Sequence, residues 1–131
     1  MDVVSRVLKF WYGEEPLDLA ADGNYRTAWF KKNDAFDQAI RSCFENDVLA
    51  AADGKLDDLK ETSAGVLTFC ILLDQFPRNL YRGSPQAFAG DPIALETAKD
   101  AIARGMDLKL GKTRRLFIYL LFEHSENVDD Q

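Results

Sequence analysis

Two cysteines, one histidine and four prolines are all that the 131 residues hold of those types, and each scarcity removes a chemistry. Cys43 and Cys70 both lie among apolar neighbours, with no CxxC and no paired histidine. That pattern predicts buried free thiols in a reducing compartment and leaves no zinc site. Clustered positive charge is also lacking. Lys and Arg number 16 against 22 Asp and Glu, a net charge of −6, and the longest basic runs are the pairs Lys31-Lys32 and Arg114-Arg115. A nucleic-acid surface needs massed cations, so nucleic acid is not an expected partner. The apolar run that starts at Val66 is too short to span a bilayer. Asp2, Arg6 and Lys9 interrupt the first apolar residues, so no secretion signal is read there. Together these features predict a cytoplasmic protein with no membrane partner. No stretch alternates with period two over a useful length, which excludes strands. A phosphate loop, GxGxxG, HExxH and a nucleophile elbow are all missing, and no cofactor or metal is expected.

What the chain does have is helical punctuation. Asp2 can cap a first helix with Val4, Val7, Leu8 and Trp11 on one face, ended by Gly13. Glu14 to Asn24 carries Pro16 and Gly23 and reads as an acidic surface loop, pinned back by the aromatics between Tyr25 and Phe30. Asn33-Asp34 starts a helix whose face is Phe36, Ile40, Cys43, Phe44, Val48 and Ala51, with Gly54 as its stop. Leu56 and Leu59 belong to a short helical link, and Thr62 or Ser63 caps the helix that follows. Ser84-Pro85 and Asp91-Pro92 each pair a capping residue with proline, which predicts two further helix starts. The second carries Ala94, Leu95, Ala98, Ala101 and Ile102 on one stripe and closes at Gly105. Arg114 to Phe122 is a last strong helical segment. The expected fold is therefore all-α, about six helices in a single domain over residues 1–131.

The stretch that organises the rest is VLTFCILLDQFPRNLYRG, Val66 to Gly83. A helix apolar on every side has no solvent face and belongs in the middle of a bundle. It should stop near Phe76, because proline disfavours the α conformation in the residue before it. Beyond the apolar run come Asp74, Gln75, Arg78, Asn79 and Arg82. Polar groups at the end of a buried helix are costly unless they bond one another or a ligand.

LDQFPRNLYRGSPQAFAGDPIAL, AIARGMDLKL and RRLFIYLLFEHSENVDDQ resemble, in that order, the bacterial family known as domain of unknown function 924. VLKFWYG and WFKKNDAFDQAIRSCFENDVLAAADGKLDDL are similar to that family's opening, so the resemblance runs over essentially the whole chain. It implies antiparallel helix pairs in a tetratricopeptide-like, right-handed superhelical arrangement, and it implies no activity. Leu59 stands where relatives usually carry Trp, and Leu121 where they carry Pro. Relatives also continue into further helices with a second FP-x-RN-like motif. This chain is expected to be a short member or a truncated one, with any site shared between the two motifs incomplete.

Two clusters are candidate sites. In the first, Asp74 and Arg78 pair while Gln75 and Asn79 satisfy backbone freed by Pro77, or else Arg78 and Arg82 project into a cleft and grip an anion. In the second, His124 has the side chain that, unperturbed, changes charge near neutral pH, and Glu123 or Glu126 is close in sequence as an acid to orient it as a general base. The plain alternative is that Ser125 caps a helix and His124 is buried and satisfied. Trp11, Tyr12, Trp29 and Phe30 line a pocket or form core and lids. The expected function is binding of a small anionic ligand or an acidic peptide end by Asp74, Gln75, Arg78, Asn79, Arg82, Arg115 and His124. The rivals are a protein-interaction module with structural polar clusters, and a hydrolase using His124. Leu116, Phe117, Tyr119, Leu120, Leu121 and Phe122 offer apolar surface on most sides of their helix, which predicts a homo-oligomer, most simply a dimer.

Overall fold

The first backbone amides of a helix have no partner within it, and three polar side chains meet that need here as their positions in the chain predict. Asp2 accepts from the Ser5 N–H at 2.8 Å, Asn33 from Phe36 at 3.1 Å and Thr62 from Gly65 at 2.9 Å. They open α1 (Val3–Tyr12), α2 (Asp34–Ala52) and α3 (Ser63–Cys70). The structure is a computed structural model that describes residues 2–13, 26, 29 and 31–124, with the backbone alone at 112, 113 and 124. Among these residues every regular element is helical. The acidic loop expected over 14–24 lies outside them, and so do Tyr25 and Phe30.

The central helix does not stop at Phe76. From Cys70 the backbone loosens into a π-helical segment, Ile71–Gln75, and then resumes as α4 (Phe76–Leu80). Within the loosened segment the Phe76 N–H reaches back five residues to the Ile71 carbonyl. Pro77, which has no N–H, therefore sits at the start of α4, where a missing donor costs little. A change of register absorbs the proline that was expected to end the helix. Every residue from Gly65 to Pro77 is buried. α3 packs against α1, α5 (Asp91–Ala103) and α6 (Lys112–His124), while α2 covers the π segment and α4.

Three short 3₁₀ turns join these helices: Asp57–Glu61, Pro85–Phe88 and Met106–Lys109. Ser84 caps only the second of these turns, not a full helix. α5 begins from Gly90, and Asp91 makes no capping bond because Arg78 holds its carboxylate. On α2 the buried face is Ile40, Phe44, Val48 and Ala51. Cys43 lies off that face and is exposed, contrary to its apolar neighbourhood in the sequence; Cys70 is buried, and both thiols are free.

The core is rich in aromatic rings. Trp29 stacks on Trp11 at 5.7 Å and donates its indole N–H to the Trp11 carbonyl at 2.8 Å. Phe117 of α6 meets Trp11 edge-on at 5.3 Å and Trp29 at 4.9 Å. Trp11, Tyr12 and Trp29 are therefore core residues, and Trp29 and Arg26 tie their segment to the end of α1. Arg114 is buried with them, its guanidinium 4.5 Å from the Tyr12 ring centre. Phe117, Ile118 and Leu121 turn inward from α6, Leu116, Leu120 and Phe122 are half-buried, and Tyr119 is exposed.

Candidate functional site

The π segment places Asp74 wholly inside the protein. A buried carboxyl group there needs partners: Gln75 donates to one oxygen at 2.6 Å and Arg78 to the other at 2.8 Å. Arg78 then reaches across to α5, donating to both oxygens of Asp91 at 3.0 and 2.9 Å. A further face of its guanidinium lies 5.0 Å from the Phe88 ring centre. This single arginine thus joins the π segment, the Pro85–Phe88 turn and α5. Burial works against its charge, but Asp91 and Asp74 outweigh it and raise its pKa. Asp91 moves the other way from most ion-paired acids. Burial, with the nearby Asp74 charge, holds its carboxyl above the ordinary range despite the pull of Arg78.

One turn further on, Asn79 and Arg82 share a different acid. Asn79 donates to an Asp37 oxygen at 2.8 Å, and Arg82 donates to both oxygens at 2.7 and 3.2 Å. Burial pushes the Asp37 carboxyl up, and the bonds from Arg82 and Asn79 overcome this and hold it below the usual range. Asp37 lies in the first turn of α2, so these bonds fasten α2 to α4. The sequence motif suggested Arg78, Asn79 and Arg82 as neighbours of an anion, and each does meet a carboxylate. Both acids come from the chain itself.

The second candidate cluster is described only in part. Arg115 is half-buried on α6, near Tyr119, whose hydroxyl donates to the buried Asp107 at 2.5 Å. Glu123 is exposed and His124 closes α6. The His124 side chain, Ser125 and Glu126 lie outside the described residues, and nothing among those residues joins Arg115 to the Arg78 network. Among the described residues no group of three or more His, Cys, Asp and Glu side chains is placed to hold a metal ion, and no helix is long and apolar enough to cross a membrane.

A cavity of about 140 Å³ opens beside the Arg78 network. Its floor is Leu73 and Pro77, its walls are Val48 and Ala89, and Leu49 of α2 and Ile93 of α5 flank its mouth. Gln86 and Tyr81 are the side chains with polar groups that line it. Leu49 is 51% exposed and Ile93 41%, although both are large and apolar. Motif reading passed over these two residues. The available signal was their place off the buried stripes of their helices, Ile40/Phe44/Val48 and Ala94/Ala98/Ala101.

The floor exists because of a close backbone approach. A side-chain carbon built on Gly90 would come within 2.6 Å of the Leu73 carbonyl oxygen. That oxygen is the one residue 77 would bond in an α-helical ladder if it were not proline.

A solved structure of a protein of unknown function from Agrobacterium tumefaciens is similar to this one, with a TM-score of 0.85 and 34% identity. The match covers 98% of this chain and 67% of that one. No curated protein matches the chain. A model of bacterial proteins of unknown function, domain of unknown function 924, matches residues 7–131. The helical fold, the LDQFPRN turn that carries its buried ion network and this match over nearly the whole length place the chain in that bacterial family.

Proposed function

We propose that the chain is a protein-interaction module, a single domain of tetratricopeptide-like helix pairs that takes an apolar side chain of its partner between α2 and α5. The observation that carries this reading is the contrast between the two candidate places. Arg78 and Arg82 are ion-paired with Asp74, Asp91 and Asp37 of the chain itself, so much of their polar chemistry goes to holding helices together. The cavity beside them is open, lined mostly by apolar side chains and flanked by exposed Leu49 and Ile93. An apolar cavity of about 150 Å³ is large enough for a benzene-sized group, so one leucine or phenylalanine side chain is a fitting guest here. Exposed apolar surface around a preformed cavity favours binding over solvation.

The test is affinity capture with wild type and Leu49→Asp as paired baits. Leu49 is half in solvent, so the variant should melt within about 0.5 kcal/mol of wild type. Proteins held by wild type and lost by the variant are the expected result. The same proteins on both baits would overturn the reading.

Binding of a small anionic ligand or acidic peptide end is a second reading, favoured by one observation. Arg82 is 39% exposed and, with Asn79, forms a clamp already fitted to a carboxylate. A ligand there would displace Asp37, and Arg82→Ala would abolish any thermal stabilisation by that ligand. Hydrolysis with His124 as base is tested by His124→Ala, since an activity that survives the change removes that role.

A further inference from the structure

The partner's chemistry is written on the surface that continues from the cavity, and this inference rests on the interaction reading above. Ile93 lines both the cavity and an open trough of about 540 Å³ between α5 and the Asp57–Glu61 turn. Glu96 and Asp100 follow Ile93 along the same face of α5 and line that trough with Thr97, Pro92 and Lys60. Their carboxylate side chains are 78% and 64% exposed. The nearby cations are already committed. Lys60 lies 4.9 Å from the Phe69 ring centre and 3.4 Å from Asp57, and Arg104 bridges Asp100 at 3.2 Å and Glu61 at 3.8 Å. Lys99 stands 3.9 Å from Glu96, at the limit of an ion pair, and leaves that carboxylate mostly in water.

We infer that the occupant of this surface is an amphipathic, basic helical segment of another protein, with one large apolar side chain seated in the cavity and Lys or Arg side chains along the trough. Glu96 and Asp100 lie three and four residues apart after Ile93, so they rise roughly 5 and 10 Å along α5 from the cavity's edge. A helix laid beside α5 presents side chains at that same spacing, one and two turns from its anchor. Basic side chains at those positions meet carboxylates that stand largely in water, Asp100 sharing its charge with Arg104 and Glu96 held only loosely by Lys99, whereas acidic ones meet like charge. The chain's net charge of −6 adds a long-range attraction for the same class of partner.

Fluorescence polarisation with synthetic helices of about 15 residues tests this. One peptide carries a leucine anchor with lysines one and two turns away, and its twin carries glutamates in place of the lysines. The lysine peptide should bind wild type and its affinity should fall as salt rises; the glutamate twin should bind at least about tenfold more weakly. Leu49→Ser should abolish binding of the lysine peptide, and Glu96→Gln with Asp100→Asn should weaken it several-fold at low salt while the variants melt as wild type does. Equal binding of the two peptides, both lost in Leu49→Ser, would overturn the basic partner and leave the interaction reading standing. Lysine-peptide binding that survives Leu49→Ser would be adhesion to an acidic surface and would overturn both. Binding of neither peptide would also overturn both.

Discussion

Arg78 and Arg82 lie one helical turn apart in the same motif, yet their removal should have different consequences. Asp74 is fully buried, and Arg78 is its cationic partner in the core. Arg78→Ala removes the cation beside that carboxylate and beside Asp91 as well, and breaking such a buried pair costs on the order of 3 kcal/mol or more. Arg82 and Asp37 are 39% and 17% exposed, so the same truncation there should cost about 1 kcal/mol or less. Urea unfolding of the two variants checks this, and equal losses would contradict the assigned roles. These partnerships were not legible in the sequence. Asp91 is 13 residues from Arg78, and Asp37 is 45 from Arg82. Only the spacing between Asp74 and Arg78 is local, and that pairing was the one open to inference from the helical period.

Among the elements, helix starts were legible because capping is settled within four residues. Asp2, Asn33 and Thr62 act where their neighbours placed them. Pro77 was misjudged because the rule against proline assumes an α-helical ladder, and this helix widens to a π turn just before it. The expected burial of the Val66 stretch holds, since all-round apolarity leaves a helix no solvent face. Gly65 gives a sharp test of how closely that helix is seated. A side-chain carbon at this position would lie 1.8 Å from the Leu59 carbonyl oxygen. Alanine in a helix normally gains up to about 1 kcal/mol over glycine. Here the Asp57–Glu61 turn must move away, and overpacking of this kind costs about 1–3 kcal/mol or more. Gly65→Ala should therefore lower the melting temperature; a rise would mean the turn is loosely held.

For the whole molecule, α6 is the element on which the prediction of a dimer rests. Its inner residues Phe117, Ile118 and Leu121 are fully covered by the chain itself. Leu116, Leu120 and Phe122 are only partly so, with Tyr119 beside them at 39% exposure. A half-covered row of large apolar side chains is what a self-complementary interface uses, because one patch buries itself twice. Sedimentation at micromolar concentration should show a dimer that Leu120→Glu converts to monomer. A wild-type monomer with a sharp thermal transition would refute the dimer and show that these helices close their own core.

The meeting of Pro77 and Gly90 has a consequence in genetic terms. Pro77 leaves the Leu73 carbonyl without its usual helical donor, and Gly90 is the residue whose bare backbone comes up against that oxygen. The effects of changing the two are not independent. Where residue 77 supplies an N–H, the Leu73 oxygen can turn to that donor, and the tightest of the contacts facing a side chain at 90 is eased, with the Leu73 side chain still 3.2 Å away. Gly90→Ala should thus be harmful in the wild-type background and milder beside Pro77→Ala, an epistatic pair separated by thirteen positions. Selection on a library randomised at both sites would return proline at 77 only with glycine at 90.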